Sequence, residues 1–189
     1  MFSPLPARLA PLSDPTATPR SHATAIVDVS GATPHMQGPD SDRVVGTLVH
    51  RLLEHFAFGG TITAEEVQDA LPRLLEPDEL VDVIDLRGLA RRAATGYAAV
   101  CSRPDVQSLC ASGARLHEVP FTMATEDGIV RGTIDCLIRR EDGNITILEF
   151  KTGRPRPEHR VQLDLYKRAA AQLFAGAGVD AVLVYADAE

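Results

Sequence analysis

The feature that most constrains this chain is a change of hydrophobic period near residue 113. Before it, apolar residues recur at helical spacing, as Val45, Leu48, Val49, Leu52 and Phe56, and again as Val67, Leu71, Leu74 and Leu75. After it the period is two, over 115–123, 130–138 and 145–151. A helix buries a stripe and a strand buries a face, so a chain offering helices first and strands second must lay one against the other. Turn signals at Glu126-Asp127-Gly128 and Glu141-Asp142-Gly143-Asn144 make the three strands an antiparallel meander. A helix over 157–174 and a short apolar run at 181–185, read as a last buried strand, complete the pattern. The predicted fold is α/β, one mixed central sheet flanked by helices, with an added N-terminal helical region.

The helical half divides further. The first helix stops before Gly59-Gly60, Thr63 with Glu66 forms a capping box for a second helix with a proline inside it, and a third spans 86–101. Residues 1–41 are rich in Pro, Ser, Thr, Ala and Gly and are expected to be a disordered tail or linker, with His22 and His35 as solvated bystanders. The folded domain is then expected over 42–189, a length and composition suited to one soluble unit.

Charge narrows the partners. The net charge is −7 and the only lysines are Lys151 and Lys167, so bulk electrostatics will not hold nucleic acid and any such binding needs a local site. The cysteines, Cys101, Cys110 and Cys136, match no zinc or disulfide framework and read as reduced, buried thiols. No apolar run approaches the roughly 18 residues of a membrane span and no signal peptide is recognisable. A cytoplasmic protein with no membrane partner is expected.

Chemistry concentrates on the second and third strands. Gly132-Thr133-Ile134-Asp135 sets one carboxylate among apolar neighbours, where an unpaired charge is costly. Leu148-Glu149-Phe150-Lys151 puts Glu149 and Lys151 on one sheet face and Phe150 on the other. Adjacent antiparallel strands can bring Asp135 to Glu149, and two close carboxylates repel unless one is protonated or a cation joins them. A hard cation, Mg²⁺ or Mn²⁺, suits such oxygen donors. A bare Glu-x-Lys is more often a solvated ion pair, so the flanking helices matter. Gly46 lies one turn before His50 in Gly46-Thr47-Leu48-Val49-His50, where a missing side chain admits a close neighbour, and Gln162 and Tyr166 lie one turn apart on one helix face.

Taken in order, "GTLVH", "GTID" with "LEFKTG", and "QLDLY" resemble the successive motifs of the RecB-like nucleases of the PD-(D/E)XK superfamily, closest to the C-terminal nuclease domain of AddA-type helicase-nucleases. The resemblance covers about residues 43–186. It implies a restriction-endonuclease-like core and a Mg²⁺- or Mn²⁺-dependent, exonuclease-type deoxyribonuclease working in DNA end processing, recombination or repair beside a helicase. It further implies that His50, Asp135, Glu149 and the carbonyl of Phe150 bind metal, that Lys151 is catalytic, and that Gln162 and Tyr166 support the site and the bound strand. Glu118 sits where relatives often carry an acid near the site, or is a plain surface glutamate.

The chain departs from the family in having Glu149-Phe150 where Asp-Tyr is common. It has no G-x-x-x-x-G-K-[ST] phosphate loop, so no nucleotide is expected, and no cysteine after Cys136, so no iron–sulfur cluster is expected. Arg154, Arg156 and Arg160 lie in the loop and helix start that leave the catalytic strand and are expected to bind DNA, with Pro155 and Pro157 holding Arg154 and Arg156 as phosphate clamps; the alternative is a solvated basic loop, and Arg87, Arg91 and Arg92 are the next candidates. The alternative is a nuclease-fold module without catalysis that binds DNA or bridges subunits of a repair complex.

Overall fold

The computed structural model describes residues 25–28 and 40–186, apart from residues 57, 59, 82 and 127. The chain runs β1 (Ala25–Asp28), α1 (Asp40–Phe56), α2 (Ala64–Leu74), a 3-10 turn (Pro77–Leu80), α3 (Leu86–Cys101) and α4 (Pro104–Ala111). It continues as β2 (Gly113–Thr125), β3 (Gly128–Arg140), β4 (Ile145–Lys151), α5 (Pro157–Leu173) and β5 (Val179–Tyr185).

Local chemistry accounts for the boundaries. Thr63 and Glu66 exchange the two hydrogen bonds of the predicted capping box, at 3.2 and 2.8 Å. Asp85 caps α3 by accepting from the Gly88 amide at 2.8 Å. The turn between β3 and β4 closes through the Gly143 amide to the Arg140 carbonyl at 3.0 Å, with Gly143 at φ +83°, a conformation that favours glycine.

The sheet is mixed. β2, β3 and β4 form the predicted meander, and β5 adds parallel to β4 after the α5 crossover, with Lys151 opposite Tyr185. One face carries Cys136, Ile138, Leu148, Phe150 and Val184 against the buried stripes of α1 to α4, led by Leu48, Leu52, Ala93 and Tyr97. The other carries Ile134, Leu137, Ile145 and Ile147 against Tyr166, Ala169 and Ala170 of α5. The apolar face of each layer is thereby covered, which gives the predicted α/β arrangement.

Three features differ from the sequence reading. Residues 25–28, inside the expected tail, form β1 and pair parallel with β3, Ala25 opposite Gly128 through Asp28 opposite Arg131. Four residues are too few to establish a period, and the remainder of 1–39, with His22 and His35, lies outside the described residues. Helix α4 is not among the predicted elements, because a proline start and eight residues give a weak periodic signal. β5 is an edge strand among the described residues, with only Val184 of its seven residues fully buried. Among the described residues no helix is long and apolar enough to cross a membrane.

Candidate active site at a fork in the sheet

The β3–β4 ladder ends at Cys136 opposite Leu148. One step further, where Asp135 would face Glu149, the strands part, and the Asp135 side chain takes up the gap by accepting the Phe150 amide on Oδ2 at 2.8 Å. Its Oδ1 lies 3.4 Å from His50 Nδ1. Both carboxylate oxygens thus have a partner on a different element, one from β4 and one from α1.

The pleat slips at the same place. Ile134 and Leu137, three apart, both pack on the α5 side, whereas Cys136 and Ile138 pack on the other. On β2 the matching irregularity is Glu118, whose neighbours His117 and Val119 pair with Cys136 and Ile134 while it falls opposite Asp135 in the same register. Glu118 adopts φ +48°, a left-handed backbone that costs a non-glycine residue about 1–2 kcal/mol. The distortion brings its carboxylate to the fork. One ligand atom from each of His50, Glu118 and Asp135 lies within 4.8 Å of the others.

His50 reaches this point because α1 seats tightly on the end of β4. A Cβ on Gly46 would stand 2.8 Å from Thr152 Oγ1, so the missing side chain expected at this turn admits the residue that follows Lys151. The His50 ring meets Phe150 edge-on, with centroids 6.3 Å apart. Glu54, one turn beyond His50 on α1, makes no hydrogen bond to it among the described residues.

Glu149 and Lys151 share the face that α5 covers, as their spacing requires. Lys151 Nζ donates to Glu149 Oε1 at 2.8 Å, while Glu149 Oε2 is sealed from solvent without a hydrogen-bond partner. This pair is no solvated surface bridge, since the glutamate side chain is only 2% exposed and that of the lysine 14%. Glu149 lies outside the close trio of ligand atoms.

Electrostatics follow from this packing. Burial first, and then the charge of Asp135, push the Glu149 carboxyl up to about 8 against the pull of Lys151. Burial works to lower His50, but the charge and hydrogen bond of Asp135, with Glu149 behind them, outweigh it and leave the imidazole above 6.5. Asp135 is pushed up by burial, yet His50, the Phe150 amide and Lys151 hold it below its ordinary value. Burial and the Asp135 charge raise Glu118.

The α5 residues stand on the same side. Gln162 Nε2 donates to the Tyr166 hydroxyl at 2.7 Å, and Tyr166 packs edge-on against Phe121 with centroids 5.5 Å apart. Tyr166 is 1% exposed, so it supports Gln162 from within the core and Gln162 carries the solvent-facing edge. Arg154, Arg156 and Arg160 are exposed and form no ion pair among the described residues, while Arg92 is engaged by Asp42. The trio member that sequence reasoning leaves undecided is Glu118. His159 and Tyr185, hydrogen-bonded to each other beside Lys151, carry no sequence signal that marks them for the site.

A family model described as the PD-(D/E)XK nuclease superfamily matches residues 19–189. An ATP-dependent helicase/nuclease subunit of Moorella thermoacetica is 29% identical over 154 residues, covering 68% of this chain and 10% of that protein. Its namesake in Bacillus mycoides is 30% identical, covering 66% and 12%, and that of Streptococcus equi subsp. zooepidemicus is 26% identical, covering 74% and 12%. The chain therefore spans about a tenth of the length of these curated relatives. With a match that runs from residue 19 to the end and takes in the fork, its acids and Lys151, the chain belongs to the PD-(D/E)XK nuclease superfamily.

Proposed function

We propose that this chain is a divalent-metal-dependent deoxyribonuclease that hydrolyses phosphodiesters at DNA ends, in recombination or repair, in company with a helicase subunit or domain. The observation that carries the reading is the meeting, at one fork of the sheet, of the His50–Glu118–Asp135 trio with the buried Glu149–Lys151 pair. Kinship with helicase/nuclease subunits supports the helicase partner.

The residues fit a metal. Three donors of the right kind lie within 4.8 Å of one another, and Glu149 Oε2 is a buried oxygen with no hydrogen-bond partner. His50, Glu118 and Asp135 would hold the cation, with Glu149 and the Phe150 carbonyl as further oxygen donors. A bound Mg²⁺ or Mn²⁺ supplies Lewis-acid polarisation of a phosphoryl oxygen and lowers the pKa of water.

The chain's own groups do the rest. Lys151, restrained by Glu149, donates to the phosphoryl oxygens and offsets the charge that grows on them in the transition state. Asp135, fixed through the Phe150 amide, orients the trio without a loop in between. Gln162, braced on Tyr166, lines the approach of the strand. Arg154, Arg156 and Arg160 neutralise neighbouring phosphates, which gives an acidic chain a local means to hold DNA.

The deciding experiment incubates the chain with end-labelled single- and double-stranded DNA in Mg²⁺, Mn²⁺ or EDTA. Cleavage that needs the metal and shortens labelled ends is expected. Binding without cleavage under every condition would favour a non-catalytic DNA-binding or bridging module instead.

A further inference from the structure

The polar surroundings of Lys151 extend beyond Glu149. β4 and β5 are parallel with Lys151 opposite Tyr185, so the two side chains leave the sheet on the same face as neighbours. The Ala186 amide donates to the Lys151 carbonyl at 2.9 Å, which ties β5 to the lysine's own backbone. The Tyr185 hydroxyl lies 2.9 Å from His159 Nδ1, and their rings are 5.7 Å apart and tilted by 37°. His159 stands in the first turn of α5 and is 7% exposed.

A buried imidazole next to an ammonium calls for a reason, since an apolar side chain would fill the space without a polar group to satisfy. Burial, followed by the charges of Lys151 and Arg156, holds His159 below 6.5. The ring is therefore neutral near pH 7 and adds no repulsion to the lysine. Gln162 and Tyr166 continue the stripe of α5 that His159 begins, at positions three and seven residues on. Two hydrogen-bonded pairs, His159–Tyr185 and Gln162–Tyr166, thus connect to the sheet face that bears Glu149 and Lys151.

We propose that His159, acting through Tyr185, is a positioning residue for Lys151: Glu149 restrains the ammonium along the strand and the His159–Tyr185 pair restrains it across the strand. The inference rests on the nuclease reading for its kinetic consequence, but its structural content does not.

The chain has only two lysines, Lys151 and Lys167, so competitive acetylation of the full chain read by mass spectrometry compares Lys151 with an internal standard. Tyr185→Phe keeps the ring and removes the hydroxyl. It is expected to raise labelling of Lys151 relative to Lys167 severalfold. For cleavage of single-stranded DNA with Mn²⁺, it should lower kcat about tenfold with KM nearly unchanged, the scale of one neutral hydrogen bond. His159→Ala should match it, the double variant should lose no more than either alone, and His159→Gln should recover part of the rate.

Unchanged labelling and unchanged kcat in Tyr185→Phe, at the wild-type melting temperature, would overturn the proposal, as would additive losses in the double variant. Should the wild-type chain fail to cleave DNA, the nuclease reading falls, and the labelling ratio still decides whether the pair positions the lysine.

Discussion

The amide of Phe150 hydrogen-bonds the side chain of Asp135 at the point where the ladder between their strands has just ended. One carboxylate therefore completes the sheet with one oxygen and faces α1 with the other, 3.4 Å from His50. The fold and the site share an atom group at this residue. Asp135→Asn should keep one acceptor for the amide and lose the charge that His50 and a cation use. A metal titration followed by calorimetry is expected to show loss of binding with the fold retained.

The metal-free domain should lose stability as pH rises. Glu149 moves from 4.5 in the unfolded chain to about 8 in the folded one, so between those values the folded state keeps a proton that the unfolded state has released. His50, raised above 6.5, adds the same sign over its own range. Asp135 has the opposite sign, but its contribution is complete above 3.8 and is lost only as pH falls through its folded value. Thermal melts in EDTA should drop by several degrees from about pH 5 to about pH 8.5, and Glu149→Gln should flatten the trend. A melting temperature that climbs over this window would contradict the assigned protonation of Glu149.

Lys151→Ala is expected to reduce cleavage by about a hundredfold or more while metal binding persists, because an ammonium is no ligand for a cation. Single-turnover rates at saturating Mn²⁺, paired with a Mn²⁺ titration of the same variant, separate the two effects. Near wild-type cleavage would remove the lysine from the chemistry.

Glu118 sits in a strained backbone to reach the fork. Asparagine tolerates the left-handed region better than glutamate does. Glu118→Asn should therefore stabilise the metal-free domain by up to about 1 kcal/mol while weakening Mn²⁺ binding about tenfold or more. Denaturant melts in EDTA and in Mn²⁺ test both halves, and a variant that gains stability without losing metal would leave the strain without a function.

Gly46→Ala sets helix propensity against a contact. Alanine favours the interior of α1 by about 1 kcal/mol, yet its Cβ would press on Thr152 Oγ1 at 2.8 Å. The helix is expected to shift outward and carry His50 from Asp135, so metal affinity falls more than the melting temperature does. Adding Thr152→Ala should restore it, and titrations of the three variants read the outcome.

Arg154 and Arg156, exposed and without ion pairs among the described residues, are expected to set the salt dependence of DNA binding. Two or three neutralised phosphates give a log–log slope on the order of −2 on single strands. The double alanine variant should flatten it and raise KM alike for all sequences, since phosphate contacts carry no base information. An unchanged slope would move the DNA path elsewhere, toward Arg87 and Arg91.

What can be read from the sequence is what repeats along it. The stripes of α1 and α3 and the alternation of β2 to β4 declare themselves over seven or more residues, and the Glu149–Lys151 spacing fixes a shared face. Strand adjacency alone allows Asp135 to approach Glu149 if the register permits, and it cannot show that the ladder stops one step short of that pair. Glu118 is undecidable from sequence because its role depends on one left-handed residue in an otherwise regular strand. The His159–Tyr185 contact joins residues 26 apart across a helix and an edge strand, and no local pattern encodes it.

β1 bears on how the domain must be cut for study. It occupies the same edge of β3 as β4 does, at residues 128–131, while β4 takes 136–139. The stretch between them, 132–135, is the one that ends in Asp135, and among the described residues neither neighbour covers it. A fragment trimmed to begin at residue 42, where helical periodicity starts, would discard one jamb of that doorway and leave the opening framed on a single side.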